Sequence, residues 1–164
     1  MDDKNKKVRL THSEDYYVKI LLNKVKLKEV MTPSPLSVRE DAPFSQVVDR
    51  MTQHDIRHVP IVDKYDHLVG LMTQRDLYKI QPPHRNMEGL WVYDKDFLNS
   101  IILSSVMIKD PFTMRTDNTV AEAIINMVQF KYGCILIVDD QGVLLGIITQ
   151  LDILKIAAQI IQES

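Results

Sequence analysis

The sequence predicts a mixed α/β (α+β) fold in which two copies of one β-α-β-β-α unit pack face to face. The first observation is an internal repeat: residues 22–80 align without a gap to residues 98–156, and 20 of the 59 aligned pairs are identical. The second is the apolar pattern, which changes from strand to helix periodicity in the same order within both copies. One copy of this size buries too little apolar surface to fold alone, so the two are expected to share a core.

Each copy opens with a short strand and a helix. In the first copy the strand is predicted at residues 36–38, after two prolines. Asp41 is the expected N-cap of the helix, with Pro43 in its first turn. Spacings of three and four residues define the buried helix face, which comprises Phe44, Val47, Val48 and Met51 in the first copy and Val120, Ala123, Ile124 and Met127 in the second.

Two strands and a last helix complete each copy. Strands are predicted at residues 58–62 and 68–72, joined by a polar turn, and the last helix begins at Thr73 or, in the second copy, at Thr149. A short helix, around residues 19–30 or 96–106, precedes each copy. The resulting division is an N-terminal arm at 1–18, repeats at 19–80 and 96–160, and a surface connection at 81–95 with Leu90 and Trp91 packed on the body.

Composition narrows the function classes. The net charge of −2 disfavours a nucleic-acid binder, because phosphate neutralisation usually requires a basic protein. The single cysteine excludes an internal disulfide, and no apolar run approaches the roughly 20 residues that span a membrane. The charged first ten residues lack the apolar core of a secretory signal. We therefore expect a cytoplasmic protein without membrane contact.

The sequence contains no motif that supports catalysis. It has no G-x-S-x-G serine and no glycine-rich phosphate loop. Cys134 is expected to be a buried hydrophobe rather than a nucleophile. His54 and His58 have the spacing of a helical metal clamp, but the helix is expected to end near His54. We therefore predict that the chain is not an enzyme and has neither a catalytic cofactor nor a metal site.

One motif at the start of the last helix occurs in both copies. Thr73-x-x-Asp76 and Thr149-x-x-Asp152 each follow a strand directly. A helix N-terminus offers free backbone N–H groups to a phosphate, and a carboxylate there can accept both hydroxyl groups of a ribose. The same pattern is also a helix-capping motif, so a purely structural role is the alternative.

Together with their sequence context, these motifs resemble the cystathionine-β-synthase (CBS) domain, present here as a tandem pair. The first copy resembles it through residues 30–33, 57–63 and 70–76, and the second through residues 106–107, 135–139 and 146–152. The resemblance covers residues 19–158. It implies sheets related by a pseudo-twofold axis, with two clefts between the copies.

The resemblance also implies a function. In this family such clefts bind AMP, ADP, ATP, S-adenosylmethionine or related adenosyl ligands, and a nucleotide could carry Mg²⁺ on its phosphates. A homodimer, a stand-alone module and an unidentified regulated protein are further implications. One alternative is an interaction or dimerisation module with degenerate clefts. The other, disfavoured by the net charge, is a nucleic-acid binder.

The family pattern assigns site residues in both copies. It places the adenine base against the segment that leads into the second strand, where Tyr132 offers a stacking surface. Thr32 is the candidate before the first strand, in a position where the second copy has Ile108. The implied ligand-binding residues are Thr32, Ile56, His58, Val59, Pro60, Thr73, Arg75, Asp76, Tyr132, Gly133, Cys134, Leu136, Thr149 and Asp152.

The two clefts are expected to differ. Arg75 could meet a phosphate, whereas Leu151 replaces it in the second copy. His54, Arg57 and His58 add positive charge to the first copy, and Lys131 is their nearest counterpart in the second. The first cleft is therefore predicted to prefer a phosphorylated ligand, and the second to prefer a less charged ligand or to be empty.

Overall fold

The computed structural model describes residues 20 and 22–162 and has the predicted mixed α/β architecture. The first copy comprises α1 (Leu27–Val30), β1 (Thr32–Pro33), β2 (Val38–Arg39), α2 (Ser45–His54), β3 (His58–Val62), β4 (Leu68–Thr73) and α3 (Gln74–Ile80). The connection contains β5 (His84–Arg85) and β6 (Trp91–Val92). The second copy comprises α4 (Lys95–Asn99), α5 (Leu103–Val106), β7 (Ile108–Lys109), β8 (Thr113–Met114), α6 (Val120–Phe130), β9 (Cys134–Val138), β10 (Leu144–Thr149) and α7 (Gln150–Gln162).

The copies exchange edge strands. One four-stranded sheet has the order β2-β3-β4-β7 and the other has the order β1-β10-β9-β8. Thr32 on β1 therefore lies in register with Ile147 of the second copy, and Ile108 on β7 lies in register with Leu71 of the first. The two-residue strands β1 and β7 carry too little pattern to be predicted, so their exchange is visible only in the structure. The strand predicted at residues 36–38 is observed as β2, at Val38–Arg39.

Two methionines hold the exchanged strands in place. A Cβ atom added to Gly146 would collide with the Sδ and Cγ atoms of Met31. A Cβ atom added to Gly70 would collide in the same way with Met107. Both contacts join one copy to the other, and both pairs recur at the 76-residue offset of the repeat. The repeated glycines therefore leave room for a methionine that arrives from the other copy.

The core has three parts. The predicted helix faces are buried, with Val47 in a cluster formed around the first sheet and Ala123 in one formed around the second. A third cluster joins the two sheets and consists of Leu71, Cys134, Leu136 and Ile147. Burial raises the pKa of the Cys134 thiol to about 12, so this side chain behaves as a hydrophobe.

Backbone conformation repeats with the sequence. Asp66 and Gly142 hold equivalent turn positions with φ of 64° and 86°. Glycine adopts such a left-handed conformation most readily, and aspartate is among the residues that adopt it next most often. The carbonyl groups of the same two residues accept hydrogen bonds from Leu144 and Leu68, at 3.0 and 2.9 Å. The β3–β4 and β9–β10 turns thus bind each other where the two copies meet.

Two local predictions are wrong. Asp41 does not cap α2: Phe44 holds the N-cap position without a side-chain hydrogen bond, and Asp41 pairs with Arg39 at 3.5 Å. The connection is a β5–β6 hairpin in which Leu90 and Trp91 are 58% and 65% exposed. Tyr93 packs against the first core in their place. The predicted arm at 1–18 lies outside the described residues.

The contact between Gly146 and Met31 gives a stability prediction. We expect Gly146→Ala to lower the free energy of unfolding by about 1–3 kcal/mol, because the added methyl group overpacks the site. That loss corresponds to a melting temperature lower by about 2–4 °C per kcal/mol, measured by circular dichroism.

Met31→Ala provides the control. Combined with Gly146→Ala, it removes the colliding side chain, so the alanine at position 146 should cost less than it does beside Met31. Equal costs in the two backgrounds would contradict the proposed contact.

Candidate functional site

In the first copy, the Thr-x-x-Asp motif forms a cap at the start of α3. The backbone N–H of Asp76 donates to Thr73 Oγ1 at 3.2 Å, and that hydroxyl donates to Asp76 Oδ2. Lys79 Nζ donates to the other carboxylate oxygen at 2.9 Å. Burial alone would raise the pKa of Asp76, but hydrogen bonds from Thr73 and Lys79 and the charges of Lys79 and Arg75 outweigh it and lower the pKa. Asp76 is therefore ionised at neutral pH.

The second copy repeats this cap at α7. Thr149 donates to Asp152 Oδ2 through its backbone N–H at 2.9 Å and through its hydroxyl at 2.7 Å. Lys155 Nζ lies 3.4 Å from Asp152 Oδ1. The capping role that the sequence left as an alternative is thus present in both copies. An ionised carboxylate still has acceptor capacity beyond these bonds, so the cap and ligand binding are compatible.

The lysines are site residues that the sequence reasoning missed. Lys79 and Lys155 occupy equivalent positions in the repeat and lie three residues after the aspartates, on the same helix face. The repeated position and the three-residue spacing are both visible in the sequence. Each lysine holds the carboxylate oxygen that the threonine hydroxyl does not.

Each cap is hydrogen-bonded to the residue that leads into the second strand of the same copy, β3 or β9. Gln74 N donates to the carbonyl oxygen of Arg57 at 2.8 Å, and Gln150 N donates to that of Gly133 at 3.2 Å. His58 lies opposite Thr73 in the β3–β4 ladder. The predicted base-binding segments and ribose-binding motifs therefore occupy one end of each sheet.

The two base-binding segments also touch each other. A Cβ atom added to Gly133 would lie 2.8 Å from His58 Nε2. The His58 ring therefore packs directly against the backbone of the second copy. This contact brings candidate residues of both copies into one neighbourhood.

Other predicted site residues differ in accessibility. Arg75 is exposed, whereas Ile56 and Tyr132 are partly buried. Four strand residues are buried: Val59, Pro60, Cys134 and Leu136. Because Leu136 belongs to the cluster between the sheets, its side chain shapes the inter-sheet contact. Their direct contact with a ligand stays a prediction.

Thr32 lies in an unexpected place. The exchange of edge strands puts it in the sheet of the second copy, exposed and in register two residues before Thr149. Ile108 holds the equivalent place two residues before Thr73. The lead-in residues of each copy are therefore adjacent to the Thr-x-x-Asp motif of the other.

Tyr132 is part of an aromatic cluster. Its ring stacks with Phe112, at a centroid distance of 5.1 Å, and with Phe130, at 5.6 Å. Neither phenylalanine was predicted as a site residue. The signal was their replacement by Leu36 and His54 at the equivalent positions of the first copy.

The charge of the first copy is smaller than the sequence suggested. Burial, followed by the charge of neighbouring Arg57, lowers the pKa of His58 from its ordinary value of 6.5. His58 is therefore neutral at pH 7, and the expectation that it adds positive charge is wrong. Arg57 and Arg75, both exposed, remain as permanent cations.

The surroundings add three findings. Two open grooves, of about 390 and 530 Å³, lie away from the caps, beside residues 40–43 and beside residues 91–96. In the part of the chain that the structure describes, no three His, Cys, Asp or Glu side chains form a candidate metal site. Within those same residues, no helix has the length and apolar character needed to cross a bilayer.

The lowered pKa of His58 predicts acid sensitivity. Because the unfolded chain takes up this proton first, stability is complete above pH 6.5 and falls as the pH drops towards the lower pKa of the folded state. We expect the urea midpoint to decrease between about pH 7.5 and pH 5, and His58→Gln to weaken that dependence.

His84→Gln is the matched control, because His84 is exposed on β5. It should leave the pH dependence unchanged. A His58→Gln variant with the same dependence as the original chain would refute the burial argument. The pKa values of Glu122, Asp63 and Asp76 are also lowered, but these carboxyl groups affect stability only at more acidic pH. Their ordinary pKa values are 4.5 for Glu122 and 3.8 for the two aspartates.

Comparison with known proteins identifies the repeats. The family model of the CBS domain matches residues 27–82 and 103–159. A CBS domain-containing protein of Dictyostelium discoideum is 27% identical over 143 residues, which cover 85% of this chain and 95% of the relative. Inosine-5′-monophosphate dehydrogenase of Methanocaldococcus jannaschii is 31% identical, over 81% of this chain and 23% of the enzyme.

Solved structures agree with this assignment. A Vibrio cholerae protein named for acetoin utilization (AcuB) is 30% identical, with a TM-score of 0.69 over 84% of this chain and 93% of that chain. The CBSX2 structure, solved with AMP, is 20% identical with a TM-score of 0.68, over 83% and 98% of the two chains. The CBS domain pair of protein MJ0100, solved with 5′-methylthioadenosine and S-adenosyl-L-methionine, is 21% identical with a TM-score of 0.67, over 82% and 97%.

The coverage of the relatives limits what their names imply. The chain spans about a quarter of the length of the first curated relatives it matches, which are named as enzymes. The matched region carries the CBS repeats, and these account for the resemblance to each enzyme. The chain belongs to the CBS domain family, as a tandem pair of CBS domains.

Proposed function

We propose that this CBS pair is a regulatory, non-catalytic module that binds an adenine nucleotide or adenosyl compound in two clefts between its repeats. The observation that carries the proposal is the doubled Thr-x-x-Asp cap, which places a lysine-paired carboxylate at the start of the last helix in both copies. The AMP and S-adenosyl-L-methionine complexes of similar CBS pairs support the ligand class.

The caps supply the ribose contacts. Asp76 and Asp152 each accept ribose hydroxyl groups, while Lys79 and Lys155 pair with the carboxylate oxygen that the threonine hydroxyl leaves open. The base lies against Ile56, His58, Val59 and Pro60 in the first cleft, and against Tyr132, Gly133, Cys134 and Leu136 in the second. The exposed Thr32 hydroxyl adds a polar group beside Thr149.

The first cleft takes the more highly charged ligand. Arg75 lies between Thr73 and Asp76 on an exposed position, where its guanidinium group can meet a phosphate. Any Mg²⁺ arrives on the ligand phosphates. Leu151 and Gly133 stand where the first copy has Arg75 and Arg57, so the second cleft takes a less charged ligand or stays empty.

Occupancy is transmitted through the packing of the repeats. A ligand shifts a conformational equilibrium only by its difference in affinity for the two states. The His58–Gly133 contact lies between the clefts, so a ligand that displaces the His58 ring also acts on the second copy. An unidentified partner protein responds to the altered packing.

Self-association is part of the proposal. Exposed apolar side chains on α6 and α7 support a homodimer, and they include Ile125, Val128, Leu151 and Leu154. The same surface favours the second candidate function, an interaction module whose clefts are degenerate. Ligand binding distinguishes the two.

The decisive experiment is calorimetric titration of the full chain with AMP, ADP, ATP, S-adenosylmethionine and 5′-methylthioadenosine, alongside thermal shift. A ligand at about 100 times its dissociation constant should stabilise the fold by about 2.7 kcal/mol. Asp76→Asn should abolish binding in the first cleft and Asp152→Asn in the second, because each loses the charged ribose acceptor.

Asp94→Asn is the matched control. Asp94 also caps a helix, α4, where its Oδ1 accepts a hydrogen bond from Phe97 N at 3.0 Å, and it belongs to neither Thr-x-x-Asp motif. It should leave every affinity unchanged. Absence of binding by all five ligands would favour the interaction module, and binding that survives both Asp76→Asn and Asp152→Asn would place the ligand elsewhere.

Exchange of one residue between the copies tests the inequality of the clefts. Arg75→Leu should weaken ADP binding about tenfold and leave adenosine binding almost unchanged, since one charge-assisted phosphate contact is lost. The reciprocal Leu151→Arg should strengthen ADP binding in the second cleft. Equal losses for ADP and adenosine in Arg75→Leu would exclude a phosphate role.

A further inference from the structure

We propose that Phe112 is the base-stacking platform of the second cleft and selects an uncharged adenosyl ligand there, such as adenosine or its 5′-thioether. The inference rests on the proposed function. It adds a residue outside the family-derived set and a ligand class for one particular cleft.

The ring geometry favours Phe112 over Tyr132. The Phe112 and Tyr132 rings are nearly parallel, at 17°, with centroids 5.1 Å apart, and Phe130 stacks on Tyr132 at 27°. Two neighbours thus occupy the Tyr132 ring, which is partly buried. Tyr132 covers one face of the Phe112 ring, and Phe112 as a whole is 36% exposed, so part of its surface is open to a flat base.

The chain brings this platform to the ribose-binding cap. Phe112 immediately precedes β8, whose Thr113 pairs in parallel with Leu136 of β9. The carbonyl oxygen of Tyr132 accepts a hydrogen bond from Gln150 Nε2 at 3.1 Å, two residues from Asp152. The aromatic stack and the Asp152 carboxylate therefore lie at the same end of the second sheet.

The first copy lacks all three aromatic rings. Leu36, His54 and Ile56 occupy the positions of Phe112, Phe130 and Tyr132. The second copy has Gly133 and Leu151 where the first has Arg57 and Arg75. The repeats have thus diverged in opposite directions: one keeps cations suited to phosphate, and the other has rings suited to a base.

The test is calorimetric titration of the full chain with adenosine and 5′-methylthioadenosine. Phe112→Leu, which installs the residue of the first copy, should weaken both affinities about tenfold, in line with about 1.4 kcal/mol for base–aromatic stacking. Phe112→Tyr keeps the ring and should keep the affinity. Phe97→Leu, at an exposed phenylalanine on α4, is the matched control and should change nothing.

The reciprocal Leu36→Phe should strengthen adenosine binding in the first cleft, measured in an Asp152→Asn background.

Adenosine binding that Asp152→Asn abolishes but Phe112→Leu leaves intact would overturn the platform and spare the proposed function. A chain that binds no adenosyl compound would overturn the proposed function itself. A change of oligomeric state in Phe112→Leu with unchanged affinity would make the stack a contact surface and overturn the inference. If Phe112→Leu does not fold, Phe112→Tyr and Leu36→Phe decide by the same readout.

Discussion

The exchange of edge strands is the constraint on which the rest of the structure depends. Each sheet is completed by two residues of the other copy, and Met31 and Met107 pack on the glycines that make this approach possible. Neither copy can form its sheet edge alone, since an unpaired edge leaves backbone N–H and C=O groups without partners. The same exchange carries Thr32 to the second Thr-x-x-Asp motif and Ile108 to the first. Residues of both copies therefore lie at each Thr-x-x-Asp motif.

The joint core is separate from the positions that give the two copies different charge and aromatic character. Leu71, Cys134, Leu136 and Ile147 meet between the sheets, where a change of volume is costly. The positions that distinguish the clefts lie outside this cluster, at helix starts and strand leads where side chains reach solvent. Arg75 and Leu151 are both exposed, and Phe112 is partly so. Substitutions at these exposed positions leave the packing of the pair intact.

Predictability from the sequence followed the strength of the local pattern. The β3 strand was predicted at residues 58–62 and observed there, because its apolar run ends at a polar turn. The Asp41 cap was wrong because the helix begins later, at Ser45, with Phe44 at the N-cap position. Trp91 was expected on the body, yet its ring lies 5.1 Å from the Arg85 guanidinium at the surface of a hairpin. These outcomes depend on where the helix starts and how the connection folds, and apolar periodicity specifies neither.

The site shows the same division between motif and environment. The Thr-x-x-Asp motifs were found because they recur at one offset, but the protonation state of His58 depends on the ring being enclosed against Gly133. That enclosure gives the contact two properties at once. It keeps the His58 ring neutral at pH 7, and it makes the position of the ring depend on the backbone of the second copy. Any coupling free energy between two sites is reciprocal. If binding beside His58 changed the affinity for a ligand beside Gly133, binding beside Gly133 would change the affinity beside His58 by the same factor.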